Sequence, residues 1–150
     1  MEISINGNDT ITINGALLTK FADKDYGLLN FPDKLTTTTI GKSGNAVIAY
    51  TPKGKKCELT LRLLLATTDD ATINSYLQQL SQDAPSFPLL TGQIVKRSGD
   101  GSGTVRNVIY KLEGGTPDQI PESHSNSDGD EEQGIAVWKF TFAKGSRQLM

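Results

Sequence analysis

The stretch from Lys55 to Ala66 constrains this chain more than any other. Cys57, Leu59, Leu61, Leu63 and Leu65 alternate with Lys56, Glu58, Thr60 and Arg62, and only Leu64 breaks the pattern. A two-residue period places the first set on one face of a β-strand and the second on the other. One face must therefore pack on a core while the other meets water or a polar partner, as in an antiparallel sheet. Ala136 to Ala143 repeats the pattern with larger side chains: Trp138, Phe140 and Phe142 share one face, and Val137, Lys139 and Thr141 the other.

Other segments add strands to these two. Ile11 and Ile13 alternate with Thr10, Thr12 and Asn14, and Asn14-Gly15 supplies a type I′ turn from which Leu17 and Leu18 start the return. Tyr26 to Phe31 is a strand stopped by Pro32-Asp33. Thr36 to Ile40 is a run of β-branched residues, followed by the turn Gly41-Lys42-Ser43-Gly44-Asn45 and then Ala46 to Thr51. Residues 35–51 thus form a hairpin arm with a flexible tip. Leu89 to Arg97 and Thr104 to Leu112 are further strands around the loop Ser98 to Gly103. Glu113-Gly114-Gly115 reads as a turn, Thr116 to Pro121 as a short edge strand, and Lys144 to Met150 as a tail. The one helix spans about residues 69–83. Thr68-Asp69-Asp70 suits its first turn, Ile73, Tyr76, Leu77 and Leu80 follow at helical spacing, and Asp83-Ala84-Pro85 ends it. The fold class expected is α+β, mainly antiparallel β, closing into a barrel or sandwich with one flanking helix, in a single domain over 1–150.

Composition narrows the function. With 15 basic and 17 acidic residues, the formal charge of -2 excludes a strongly basic nucleic-acid binder. The single cysteine excludes an internal disulfide framework and any zinc site of several thiolates. No window is long and apolar enough for a membrane-spanning helix, and no secretory signal opens the chain, so assembly in a reducing cytoplasm is expected.

Few residues invite chemistry. Cys57 would need a histidine to act as a nucleophile, and the only one, His124, lies in a polar loop. Gly99 to Gly103 lacks the Gly-Lys-Ser/Thr ending of a phosphate-binding loop, and Gly41-Lys42-Ser43 lacks the earlier glycine. Asp128, Asp130 and Glu132 alternate in the acidic loop 123–133, but the twelve-residue spacing of a calcium-binding loop is missing, which favours a solvated loop. Trp138, Phe140 and Phe142 could stack bases, yet strict alternation favours core. No nucleophile, base and orienting group can be nominated together, so the chain reads as non-enzymatic and without cofactor or metal.

Segment order and wording carry a further resemblance. TITINGALLTKFADKDYGLLNFPD (residues 10–33), TTTTIGKSGNAVIAYTPKGKK (36–56), LTLRLLLATTDDATINSYL (59–77), FPLLTGQIVKRSGDGSGTVRNVIYKLEGG (87–115) and EEQGIAVWKFTFAKGSRQ (131–148) together resemble tail tube proteins of contractile-tailed bacteriophages. The resemblance implies a structural virion protein with the tube fold shared with the secretion-system tube protein. Hexameric rings would stack into an inner tail tube, with sheath, tape measure and baseplate proteins as partners. DNA would pass through the lumen without specific binding. A tube terminator, a baseplate hub or initiator, and an unrelated ligand-binding β-sandwich are the alternatives.

Three surfaces follow as candidate contacts. The hairpin tip, Gly41, Lys42, Ser43, Gly44 and Asn45, is expected to touch another subunit, because its β-branched stem has no evident core. The acidic loop residues Asp128, Asp130, Glu131 and Glu132 are expected at the outer wall or a ring junction. Lys56, Glu58, Thr60 and Arg62 are candidates for the lumen wall, since Glu58 partly offsets its cationic neighbours.

Overall fold

The computed structural model describes residues 2–22, 25–125, 127, 129 and 131–150, with only the backbone of Glu131. Its strands are β1 (Ile5–Asn6), β2 (Thr10–Ile13), β3 (Ala16–Leu18), β4 (Gly27–Asn30), β5 (Thr36–Ile40), β6 (Ala46–Tyr50), β7 (Cys57–Leu64), β8 (Leu90–Gly99), β9 (Val105–Pro117) and β10 (Ile135–Leu149). The helix α1 covers Thr68–Gln82. Eight strands form one antiparallel sheet in the order β3-β2-β8-β9-β10-β7-β4, with β1 added to β8, while β5 and β6 pair only with each other.

The sheet curls until its ends meet. Beyond β3 the chain crosses to β7, where the Lys20 carbonyl accepts from the Leu64 N–H at 2.9 Å and the Ala22 N–H donates to the Arg62 carbonyl at 2.9 Å. Phe21 bridges Leu63 between them. This crossing joins the two sheet edges at one end of the barrel. At the other end a hollow lined by Ile11, Tyr26, Leu28 and Ile94 separates β4 from β2 and β8.

The apolar face of β7 points inward as its alternation requires. Cys57, Leu59, Leu61 and Leu63 are buried opposite Phe142, Phe140, Trp138 and Ala136 of β10. Ile11, Ile13, Leu90, Leu112 and Ile73 of α1 complete the core. Asn14 and Gly15 both have positive φ, 51° and 80°, as a type I′ turn demands.

Two carboxylates in the first turn of α1 tie the helix to the barrel. Asp69 Oδ2 accepts from the N–H groups of Thr19 and Lys20, each at 2.7 Å, and so holds the crossing segment. Asp70 accepts from the Trp138 indole N–H at 2.8 Å and from the Ala66 N–H at 2.9 Å. The sequence placed these acids at the helix start for the helix's own N–H groups, but they serve other elements instead.

Two expectations are corrected. Glu113-Gly114-Gly115 is not a turn: β9 runs through it to Pro117, absorbing the start of the expected edge strand. The irregularity lies on the β8 side, where the register shifts between Leu90↔Gly115 and Gly92↔Leu112, while pairing with β10 keeps one register from Phe142↔Gly115 to Lys144↔Glu113. Gly115 is required there, because a Cβ would lie 2.3 Å from the Phe142 ring. The expected tail after Lys144 is strand as far as Leu149, paired with β9.

Cys57 has no solvent exposure, and burial pushes its thiol from 9.0 up to about 11. The folded state keeps the proton over a pH range in which the unfolded chain loses it, so stability declines as pH rises from 9 to 11. A loss of roughly 2 kcal/mol by the upper limit is expected. Urea melts across that range should show it, and Cys57→Ala should flatten the decline. A thiol-specific disulfide reagent should react only after denaturation.

Candidate interaction site

The hairpin β5–β6 stands apart from the barrel. Its five cross-strand pairs run from Thr36↔Tyr50 to Ile40↔Ala46, and all ten strand residues are exposed. At its base the Thr51 N–H donates to the Leu35 carbonyl at 2.6 Å. At its tip the Gly41 N–H donates to the Asn45 carbonyl at 2.7 Å, and Gly44 supplies the positive φ that the turn needs. The expected tip, Gly41 to Asn45, is thus a well-formed turn at the far end of a projecting arm.

The arm is chemically unsuited to water. Lys42 is the only charge between Thr36 and Tyr50. Ile40, Val47 and Ile48 are each about two-thirds exposed or more, at 69%, 71% and 68%. Opposed residues share a face, so Ile40, Ile48 and Tyr50 lie together on one side and Val47 and Ala49 on the other. An isolated two-stranded hairpin is marginal in water at best, which makes this arm a surface in need of a cover.

A second unsatisfied feature is the outer edge of β4. Tyr26 O accepts from Arg62 N at 2.8 Å, so the bonded pairs with β7 are 26/62, 28/60 and 30/58. Gly27 and Leu29 therefore turn their peptide groups away from β7. Leu28 beside them is 62% exposed. An edge of this kind is a template for strand addition.

The polar face of β7 is outward, as its alternation predicts. Glu58 is exposed, Thr60 and Arg62 are half-buried, and Lys56 lies exposed just before the strand. Arg62 is not free: its guanidinium meets Glu132 at 2.8 Å. This joins one residue of the acidic loop to the strand, a pairing that sequence spacing could not reveal. Both partners remain partly exposed, so the pair contributes at most about 1 kcal/mol. Asp128 and Asp130 lie outside the described residues, as does the side chain of Glu131.

The remaining chemical candidates separate in space. Cys57 is inside the barrel, while His124 is part-exposed beside Glu122 at 3.6 Å. In the Gly99–Gly103 loop, the hydroxyl and N–H of Ser102 bind Asp100 and hold its carboxyl below the usual range. A carboxylate fixed at that tip repels phosphate. Among the described residues, no three His, Cys, Asp or Glu side chains are grouped to hold a metal ion. No helix there is long and apolar enough to cross a membrane.

No protein-family model matches this chain, and no curated protein matches it in sequence. Solved structures do match in shape. The tube-terminating cap of the anti-feeding prophage is 13% identical, with a TM-score of 0.62 over 95% of this chain and 88% of the other. The sheath/tube terminator of an extracellular contractile injection system, PVC, in its extended state is 11% identical, with a TM-score of 0.58 over 95% and 92%. A chain of the extended PVC sheath-tube complex is 10% identical, with a TM-score of 0.59 over 95% and 87%. The α+β barrel with one flanking helix is accordingly a tail-tube-type fold.

Proposed function

We propose, from the tail-tube-type fold as premise, that this chain is a structural subunit of a contractile tail or injection apparatus. In this reading copies of it join into rings, expected to be hexameric, that stack as the inner tube of a virion tail. The single observation that carries the proposal is the projecting arm, whose exposed apolar residues have no cover within the described chain. The free edge of β4 supports ring closure by strand addition, and the arm at residues 35–51, tipped by Gly41 to Asn45, supports contact between neighbouring rings. A heterologous contact of this kind closes into rings or runs on as filaments. A sheath subunit, a tape measure and a baseplate are the partners this role needs.

A terminator is the second reading. It is favoured by the identity of two matched structures, a tube-terminating cap and a sheath/tube terminator. Electron microscopy of the purified protein in negative stain separates the two. Tubes of variable length support the tube subunit, and rings of fixed height support the terminator. A monomer at every concentration up to about a millimolar would sink both.

If the outer face of β7 lines a DNA-conducting lumen, cations there must be few or offset, because phosphate contacts by Lys and Arg dominate DNA affinity. The pairing of Arg62 with Glu132 fits that requirement. Glu58→Lys should then leave tube length unchanged and slow DNA release from assembled particles. The slowing should shrink as salt is raised. Unaltered release kinetics at low salt would remove Glu58 from the lumen wall.

A further inference from the structure

The surface that receives the arm can be sought on the same chain. The far ends of β8 and β9 run beyond β2, and the N-terminal strand β1 pairs there through Ile5↔Gly99 and Asn6↔Ser98. Ser4 and Asn6 both bond the Ser98 hydroxyl, at 2.9 and 3.3 Å, so they share its face of the sheet. Ile5, paired with Gly99, consequently points to the opposite face. Val105, paired with Gly99, lies on that face as well. Ile5 and Val105 are 58% and 49% exposed. They edge a groove floored by backbone and glycine at Gly7, Gly99, Gly101 and Gly103. Elsewhere on the barrel Leu17, Leu28, Leu64, Leu65, Leu89 and Ile120 are exposed as well, away from this groove in the sequence.

Charge and hydrogen bonding complement the arm. Asp100 and Glu2 line an adjoining hollow with Ile3, Ser98 and Arg106, two acids against one base. Arg97 lies at the opposite end of the groove. The arm carries one charge, Lys42, at its tip. Gly7 N donates to Arg97 O at 2.8 Å, which makes 7/97 and 5/99 the bonded pairs and turns the peptide groups of Asn6 outward. The free edge of β1 can therefore pair with an edge of the hairpin.

We propose that the occupant of this groove is the arm of a second copy of the same chain. Ile40, Ile48 and Tyr50 would lie on Ile5 and Val105, with Lys42 directed toward Asp100 and Glu2. The contact is heterologous, so each copy gives an arm on one side and receives one on the other. The inference rests on the self-assembly reading and names both sides of its contact.

Engineered cysteines test it cleanly, because the native Cys57 is buried. Ile48→Cys and Val105→Cys proteins are purified separately, assembled alone or mixed, oxidised, and run on non-reducing gels, with particles imaged in parallel. A covalent dimer in the mixture and none in either single preparation is the expected result. An Ile48→Cys homodimer would show arm meeting arm and overturn the proposal. Assembled particles without the mixed dimer would overturn it while leaving the self-assembly reading intact. Absence of any assembly, in the unmodified protein as well, would overturn both. As a second readout, Lys42→Glu or Asp100→Lys alone should raise the concentration needed for assembly about tenfold, as loss of one close charge pair would. The double swap should restore it, and failure to restore would place the tip elsewhere.

Discussion

Trp138→Ala should destabilise the isolated subunit by about 3–5 kcal/mol, close to the whole stability of a small domain. The indole is 1% exposed and sits opposite Leu61 in the middle of the barrel. Truncation opens a cavity between β7 and β10 that the surrounding strands cannot collapse, since both are held by a continuous ladder from Ile135↔Leu64 to Phe142↔Cys57. It also deprives Asp70 of one donor at the point where α1 is fastened to the sheet. Trp138→Phe separates these effects. It retains most of the volume and loses the hydrogen bond, for a cost of about 1–1.5 kcal/mol. This is the only tryptophan, so unfolding in urea should be followed by far-ultraviolet circular dichroism. Equal losses for both variants would mean that the bond to Asp70, rather than the filled volume, dominates.

The second large effect leaves the fold untouched. Removing residues 41–45 with a two-residue turn in their place, or converting Ile40 and Ile48 to aspartate, should change the stability of the monomer by no more than about 0.5 kcal/mol, because these side chains touch little of the barrel. Assembly should nevertheless fail. Burying an isoleucine is worth about 1.5–3 kcal/mol, so losing two raises the assembly threshold at least a hundredfold, before any charge is desolvated. Sedimentation of the double variant should give a monomer with an unchanged melting temperature. Normal tubes from that variant would exclude the arm from the contact.

Much of this architecture was legible because its signals are local. Cys57 to Leu63 and Trp138 to Phe142 alternate strictly, since both strands bury one face and expose the other. The arm was legible from its β-branched residues and its missing core, and the helix bounds differ from the expected ones by one residue. What escaped depends on residues far apart in sequence. Gly114-Gly115 reads as a turn by itself; inside the strand Gly114 takes a positive φ of 68° and Gly115 makes room for the ring of Phe142. After Lys144 the inward position Gly145 adds no apolar side chain, and its Cβ would strike Cys57 and Phe31, so alternation vanishes although pairing with β9 continues. The roles of Asp69 and Asp70 toward Thr19, Lys20 and Trp138, and of Glu132 toward Arg62, appear only when the barrel has closed.

The position of β10 has a consequence for synthesis. This strand lies between β7 and β9 and supplies a long ladder to each, yet the ribosome makes it after both. Until Ile135–Leu149 has emerged, β7 and β9 each present an open, half-apolar edge, and the pocket for Leu59 and Leu61 lacks its aromatic wall. The nascent chain must wait in that condition, where edges of this kind join readily to those of neighbouring chains on the same message. A late, non-local closure also makes folding slow for a domain of this size. Chains that stall before residue 135 are thus expected to accumulate as aggregates rather than as partly active subunits, and yield should respond more to translation speed and chaperone supply than to the stability of the finished barrel.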